Sequence, residues 1–420
     1  MKGHIKASLT DDVREATCLA CGHHVAVSFF AGGDQPLMTL GWPSSAEAAQ
    51  TMRRLPLDFV RCVECGHIFN AAFDYSDVPY PDEPNLMFNR GKLWSAFIRG
   101  LQQEMLSYLP NKPVVVEIGH GDGSFLAALA GVRPTGRYVG FDPHGATAGT
   151  GAVELRAELF DPVRHLGELK PDLVVSRHVL EHLSNPLGFL QRLSFAAASL
   201  DKATRAYFEV PCVDRVLETG RTVDFYYEHS SQFTTGSFTA MLARCAATAE
   251  KIGHGYDGEV VYAFIRLEGR SAQLDNARAA NGFLESARKS RETVRSQLDA
   301  LHLSGRQVAI WGGTGKSAAF MNHYGADAAR FPLVVDSDEA KAGTFVPGTG
   351  QEIRFRDVLK DNPPDVVIIP PQWRARDIIE EMTGVGIAFG EILIEHDGRL
   401  VDYHRDPHPY GPVGEDGNGR

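Results

Sequence analysis

The run Val114-Val115-Val116-Glu117-Ile118-Gly119-His120-Gly121-Asp122-Gly123 constrains the fold of this chain more than any other stretch. Its β-branched start reads as a buried strand, and the apolar stretch from Ser124 to Ala130 reads as a helix. Glycine allows the tight turn between them and lets a ligand lie against main-chain N–H groups. A second strand, Arg137-Tyr138-Val139-Gly140-Phe141, ends in Asp142, where an acid can hydrogen-bond the two hydroxyls of a ribose. The glycines run G-x-G-x-G rather than the G-x-G-x-x-G of a dinucleotide site, and Glu117 and Asp122 would repel a pyrophosphate. They would not repel the sulfonium and amino group of S-adenosylmethionine. The pattern favours a methyl-donor pocket built on Glu117, Gly119, Gly121, Asp122, Gly123 and Asp142 over an ordinary tight turn.

Length and charge narrow the class. The 420 residues suffice for two or three domains with full cores, and 43% hydrophobic with 23% charged residues is ordinary for a globular protein. A formal net charge of −11 argues against a nucleic-acid partner, although a local basic pocket for one phosphorylated ligand remains compatible with it. No signal-peptide core is visible in residues 1–13 and no run approaches a membrane span, so the expected location is the cytosol, with no membrane partner. There the six cysteines should be reduced or metal-bound.

Four of those cysteines form two C-x-x-C pairs, Cys18 with Cys21 and Cys62 with Cys65, each followed by glycine. Four thiolates suit tetrahedral Zn²⁺ and leave no open position, so the expected ion is structural. The neighbouring His23, His24 and His67 are expected outside the ligand set. Beyond residue 113 strands alternate with helices, which predicts an α/β fold with a mostly parallel sheet covered on both faces. The expected organisation is a zinc-binding domain over 1–85, a Rossmann-like donor-binding domain over 86–270, a connecting helix over 271–303, a second Rossmann-like α/β domain over 304–406, and a disordered tail over 407–420.

Three further motifs carry chemistry. Gly315-Lys316-Ser317 is not a P-loop, because the position that needs the first glycine is Ile310; what remains is a Gly-rich turn with Lys316 available to a phosphate. His178-Val179-Leu180-Glu181-His182 matches a metalloprotease pattern, but it follows a strand and runs into Ser184-Asn185-Pro186, a loop signature. It reads as the rim of the cofactor pocket, with His178 on the donor side. In Tyr226-Tyr227-Glu228-His229, an imidazole can accept a proton near neutrality, Glu228 can orient it or hold a substrate hydroxyl, and Tyr226 can donate to an oxyanion. Spacing alone allows a half-buried polar loop equally well.

In their order along the chain these parts resemble the three-domain, S-adenosylmethionine-dependent sugar C-methyltransferases that act on nucleotide-linked 4-keto deoxysugars. The resemblance covers nearly the whole chain. It rests on the four cysteines, the Glu117 to Gly123 turn, Asp142, residues 176–182, Glu209-Val210-Pro211 with Tyr226-x-Glu228-His229, and Gly312 to Lys316 with the elements through Thr349. It implies that His229 removes the proton beside the ketone, that Glu228 and Tyr226 bind or polarise the sugar, and that the diphosphate meets Lys316 between the middle and third domains. A monomer or weak homodimer is expected. The chain departs from the family where Tyr227 replaces the histidine of the usual Tyr-His-Glu-His, and where Tyr75 to Pro81 replaces a tyrosine-and-serine cluster, leaving Tyr80 as the stand-in substrate tyrosine. The usual Trp-Asn-Phe element is also altered near Trp373. Two other readings stay open: an O- or N-methyltransferase on another metabolite, and a non-catalytic protein that binds the donor.

Overall fold

In the computed structural model, which describes residues 12–39, 42–78, 89–149 and 151–411, the valine run becomes the first strand of a seven-stranded sheet. Its strands are β1 (Val114–Ile118), β2 (Arg137–Phe141), β3 (Val153–Arg156), β4 (Leu173–Arg177), β5 (Thr204–Pro211), β6 (Ala247–Gly255) and β7 (Val260–Leu267). They lie in the order β6-β7-β5-β4-β1-β2-β3. Strands β1 to β5 are parallel, whereas β7 runs antiparallel to β5 and β6 antiparallel to β7. The chain leaves β1 towards β2 and later returns to β1's other side as β4. Loops therefore part at the carboxyl ends of β1 and β4 and leave a crevice there.

Consecutive valines serve opposite layers. Val116, Ile118, Val139 and Val174 face one apolar layer, and Val115, Tyr138, Leu173 and Val175 face the other. Leu166, Leu190 and Leu193, from helices Pro162–Leu169 and Pro186–Ala198, cover the first layer. Leu101, Met105, Leu126 and Leu129, from helices Lys92–Tyr108 and Ser124–Val132, cover the second. Burial on both faces is why these strands read as unbroken apolar runs. The α/β expectation holds. The β6–β7 hairpin was not foreseen, because β6 is largely exposed and has no apolar run to announce it.

A second, antiparallel sheet joins Val13–Glu15, Val25–Pro36, Arg54–Cys62, Ile68–Asn70 and the distant pair Ser231–Gln232. Ser231 and Gln232 pair with Phe69 and Ile68, and the helix Thr235–Ala243 starts after a Thr234 cap. Cys18, Cys62 and Phe69 share one apolar cluster with Val116 and Phe208 of the central sheet.

The chain divides into two compact units, Met1–Asp275 and Asn276–Arg420. The second unit holds a six-stranded sheet in the order Ile353–Phe355, Leu333–Asp336, Val308–Trp311, Val366–Ile368, Glu391–His396, Arg399–Asp402, parallel except for the last strand. Helix Ser271–Leu303 buries Val294 and Leu298. Tyr80, like residues 412–420 of the expected tail, lies outside the described residues.

Candidate active site

A cavity of about 1220 Å³ opens at the carboxyl ends of β1 and β4. Glu117, Gly119, Gly121, Asp122, Asp142, His178, Tyr226 and His229 line it, so most of the residues singled out in the sequence meet in one place. Gly119, Gly121 and Gly123 all adopt left-handed backbone angles, with φ of +76°, +57° and +72°. At Gly119 a Cβ would also lie 2.5 Å from Val179 Cγ2, so the turn needs glycine twice over.

The turn differs from expectation in one respect. Its N–H groups are spent within the chain: Gly119 N donates to Phe141 O (2.8 Å), Gly121 N to Asp142 Oδ2 (3.0 Å) and Gly123 N to His120 O (2.9 Å). These three N–H groups are therefore committed rather than waiting for a phosphate, which agrees with the repulsion argument against a dinucleotide. Asp142 also accepts from His144 N through Oδ1 (2.9 Å), yet each carboxylate oxygen retains lone-pair capacity for a ribose hydroxyl.

Below the turn lies a buried charged row. Parallel pairing of β1, β4 and β5 brings Glu117, Arg177 and Glu209 out on one face. Arg177 Nε donates to Glu209 Oε1 at 3.0 Å and Tyr207 Oη donates to Glu209 Oε2 at 2.6 Å. Burial would raise the Glu209 pKa, but Arg177 and His178 hold it at about 2. Burial pushes Glu117 up to about 8, opposed by Arg177 and reinforced by Glu209, Asp122 and Asp142. His178 sits 3.4 Å from Glu181 and 3.3 Å from Glu209; burial alone would lower its pKa, and the two acids lift it to about 9. Its φ of +52° is a strained value for a side-chain-bearing residue.

Opposite the turn, the Tyr226 hydroxyl and His229 Nε2 lie 2.9 Å apart. Burial, together with His182 and His178, drops the His229 pKa well below the usual imidazole value, so the ring is neutral at pH 7. Burial raises the Tyr226 pKa, so its phenol stays protonated. Ring centroids of His182 and His229 lie 4.7 Å apart, and His182 Nδ1 donates to the Glu228 main-chain oxygen at 2.8 Å. Leu180–His182 forms a single 3-10 turn, not the helix a metalloprotease needs. Glu181, His182 and His229 nevertheless bring ligand-type atoms within 4.8 Å of one another, a donor set that could also hold a cation.

Two expectations shift. Glu228 does not line the cavity: it is fully buried, and its Oε1 accepts from Met38 N and Thr39 N (both 2.7 Å) and from Thr39 Oγ1 (3.2 Å). It holds the 38–39 loop, whose Thr39 is a cavity residue. Tyr227 also turns away, buried with its hydroxyl accepting from Asp74 N at 2.8 Å, so the family departure at this position falls outside the cavity. Tyr75 lines the cavity. Lys316 is on the second unit, where a separate hollow of about 420 Å³ includes His323 and Trp373. Its Nζ stands 3.7 Å from the centre of the Trp373 ring. Asp336, which ends the neighbouring strand, is paired with Lys341 at 3.0 Å. Sequence reasoning missed His120, a buried cavity residue between two turn glycines. It also gave no role to Arg177, whose strand-end position beside Glu117 was the only available signal.

The four cysteines converge. Sulfur–sulfur distances are 3.6 Å for Cys18–Cys65 and for Cys21–Cys62, and all four sulfurs lie within 4.8 Å of one another. Tetrahedral Zn–S bonds of about 2.3 Å require sulfurs about 3.8 Å apart, so the cluster fits such an ion. Both pairs are built alike: Gly22 N donates to Cys18 O and Gly66 N to Cys62 O, with left-handed glycines at each turn.

The family described as "Methyltransferase domain" matches residues 92–245, and that described as "C-methyltransferase C-terminal domain" matches residues 235–394. No curated protein matches the chain. Among solved structures, it is similar to the mitomycin 7-O-methyltransferase MmcR (18% identity, 41% of this chain and 54% of that one, TM-score 0.32). It is also similar to the N,N-8-amino-8-demethyl-D-riboflavin dimethyltransferase RosA from Streptomyces davawensis (22% identity, 42% and 56%, TM-score 0.31). A third is the plantazolicin methyltransferase BpumL in complex with SAH (15% identity, 42% and 84%, TM-score 0.32). The chain thus spans little more than half the length of the first two. The acid-flanked glycine turn and strands β1 to β5 lie within the residues matched by the methyltransferase domain, so this part of the chain is a methyltransferase domain.

Proposed function

We propose that this enzyme methylates carbon, at the position next to the ketone of a nucleotide-linked keto-deoxysugar, with zinc held by Cys18, Cys21, Cys62 and Cys65 as a structural ion. The observation that carries the proposal is a neutral, buried imidazole, His229, hydrogen-bonded to a protonated phenol, Tyr226, in the same cavity as the donor turn. A ketone acidifies the neighbouring C–H, and a base must remove that proton before carbon can become a nucleophile. The match to a C-methyltransferase C-terminal domain favours this reading over transfer to oxygen or nitrogen.

The donor, when bound, supplies an electrophilic methyl group on sulfur. The protein's residues do the remaining work. His229 Nε2 takes the proton, and the Tyr226 hydroxyl turns to donate to the enolate oxygen, where charge develops. An imidazolium at His229 is disfavoured in the free enzyme by burial and by His178 and His182. The enolate and the nearby Glu181 carboxylate offset that penalty during the reaction. Glu228 contributes by fixing the loop that carries Thr39, and Lys316 is a candidate phosphate contact.

The test is His229→Asn, assayed with a panel of nucleotide-linked keto sugars. Turnover should fall by roughly two to four orders of magnitude, the usual contribution of a general base. Solvent-deuterium exchange of the substrate C–H should fall with it, while affinity for the donor by-product stays within about twofold. Unchanged exchange in the variant removes His229 as the base. Methyl transfer to a hydroxyl or amine by the wild type, without C–H exchange, rejects carbon methylation.

A further inference from the structure

We propose that Cys212, Asp214 and His254 form a metal site distinct from the four-cysteine cluster, taking a divalent cation of the zinc class. The site stands apart from the methyl-transfer reading and does not depend on it.

Three separate elements supply the donors. Cys212 directly follows β5. Its N–H donates to Glu259 O at 2.9 Å, and Val213 N donates to Phe233 O at 2.9 Å, which fixes this stretch between the start of β7 and the approach to helix Thr235–Ala243. Asp214 opens the short helix Asp214–Thr219. His254 comes from β6, where it pairs with Val261 of β7, whose other neighbour is Val210 of β5. A sulfur, a carboxylate oxygen and an imidazole nitrogen thereby lie within 4.8 Å of one another. Tetrahedral zinc needs such donors about 3.3–3.8 Å apart. His254 is exposed, so rotation of its side chain can close the difference without disturbing a core.

Thr235 holds the donors in place. Its Oγ1 donates to Asp214 Oδ2 at 2.6 Å and therefore accepts from His254 Nε2 at 2.8 Å, while Cys212 Sγ lies 3.9 Å from it. Nε2 is thus the ring atom turned towards the cluster. Among the described residues, no arginine or lysine stands within ion-pair distance of Asp214; Arg215 reaches Asp257 instead, at 3.2 Å. The Asp214 carboxylate meets only neutral groups of Thr235, its N at 3.3 Å and its hydroxyl. A thiolate and a carboxylate together match the charge of a divalent ion, and sulfur beside imidazole nitrogen selects zinc over magnesium or calcium. Three protein donors leave a fourth position open. Cys212 and Val213 also line the large cavity, so an ion held here ties that wall to β6.

The experiment uses untagged, full-length protein, treated with a chelator that leaves the ion of the four-cysteine cluster in place, then titrated with Zn²⁺ against a chromophoric indicator. Wild-type protein should take up one further zinc per chain. His254→Ala and Cys212→Ser should each weaken that uptake by about 100-fold or more, beyond the usual cost of losing an outer partner, while elemental analysis shows the tightly held zinc unchanged. Thr235→Val, which strips the hydroxyl from Asp214, should weaken it roughly 10- to 100-fold. Should Cys212→Ser fail to fold, His254→Ala, at an exposed position, decides alone. No further uptake by the wild type overturns the proposal, as does uptake that survives His254→Ala undiminished. Uptake lost in His182→Ala instead assigns the ion to Glu181, His182 and His229 and overturns it as well.

Discussion

Glu117 should release a proton when the donor binds. Its pKa in the empty protein is pushed up to about 8 by burial, against the pull of Arg177. At pH 7 roughly nine in ten molecules therefore carry a neutral Glu117, which cannot pair strongly with an ammonium. Binding must ionise it, and one pH unit below the pKa this costs about 1.4 kcal/mol, a tenfold penalty. The sign is fixed: affinity rises with pH through the 6 to 8 window. It should be about a hundredfold below its ionised limit at pH 6 and about tenfold below it at pH 7. Titration of S-adenosylhomocysteine in two pH 7 buffers with different ionisation enthalpies should report about 0.9 proton released per site. Glu117→Gln should abolish the release and weaken binding. Identical heats in the two buffers, or an affinity flat between pH 6 and 7.5, would refute the reasoning.

Three other perturbations have defined outcomes. Asp142→Ala removes the acceptor for Gly121 N and His144 N as well as the proposed ribose contact, so calorimetry should show weaker donor binding and thermal unfolding a loss of about 1–3 kcal/mol. Gly119→Ala meets Val179 Cγ2 and an unfavourable positive φ together, and should destabilise by about 1–2 kcal/mol or more. Adding Val179→Ala should recover only the steric part; full recovery would mean that the backbone angle costs nothing. Cys65→Ser should empty the four-sulfur cluster, read as zinc per chain by elemental analysis, and lower turnover; retention of one zinc would place the ion elsewhere.

How legible the site was depended on whether chemistry and register coincide. β1, β2 and their glycine turn could be read because a buried parallel strand is an uninterrupted apolar run and the turn demands glycine. Arg137–Phe141 was located residue for residue. The edge strand β6 escaped because an exposed edge strand needs no apolar pattern. Ser231–Gln232 escaped because its pairing partners lie in Ile68–Asn70, and no local signal records a contact so distant in sequence. Glu228 looked catalytic by adjacency to His229, but side-chain direction in an irregular segment cannot be deduced from spacing. Arg177 gains meaning only when β4 is set beside β1 and β5.

That irregular segment explains why a cysteine-bound sheet accompanies a methyltransferase core. Between residues 226 and 232 the chain alternates allegiance. Tyr226 and His229 face the cavity, whereas Tyr227 binds Asp74 N, Glu228 binds the 38–39 loop, and Ser231 pairs with Phe69. His67, two residues past Cys65, is fully buried with its ring nitrogens 3.4 Å from Ser237 Oγ and 3.3 Å from Ser231 Oγ. A loop that must aim an imidazole and a phenol pays for its fixed shape in conformational entropy. Here the antiparallel sheet and the loops after its strands supply the opposing contacts, and Cys62 and Cys65 lie at the turn that leads into Ile68–Asn70, the strand that pairs with Ser231. The position of His229 thus depends on a sheet far from it in sequence. Loss of the proposed zinc should therefore reach catalysis through geometry, whereas the proposed donor contacts, on β1, β2 and β4, belong to the central sheet.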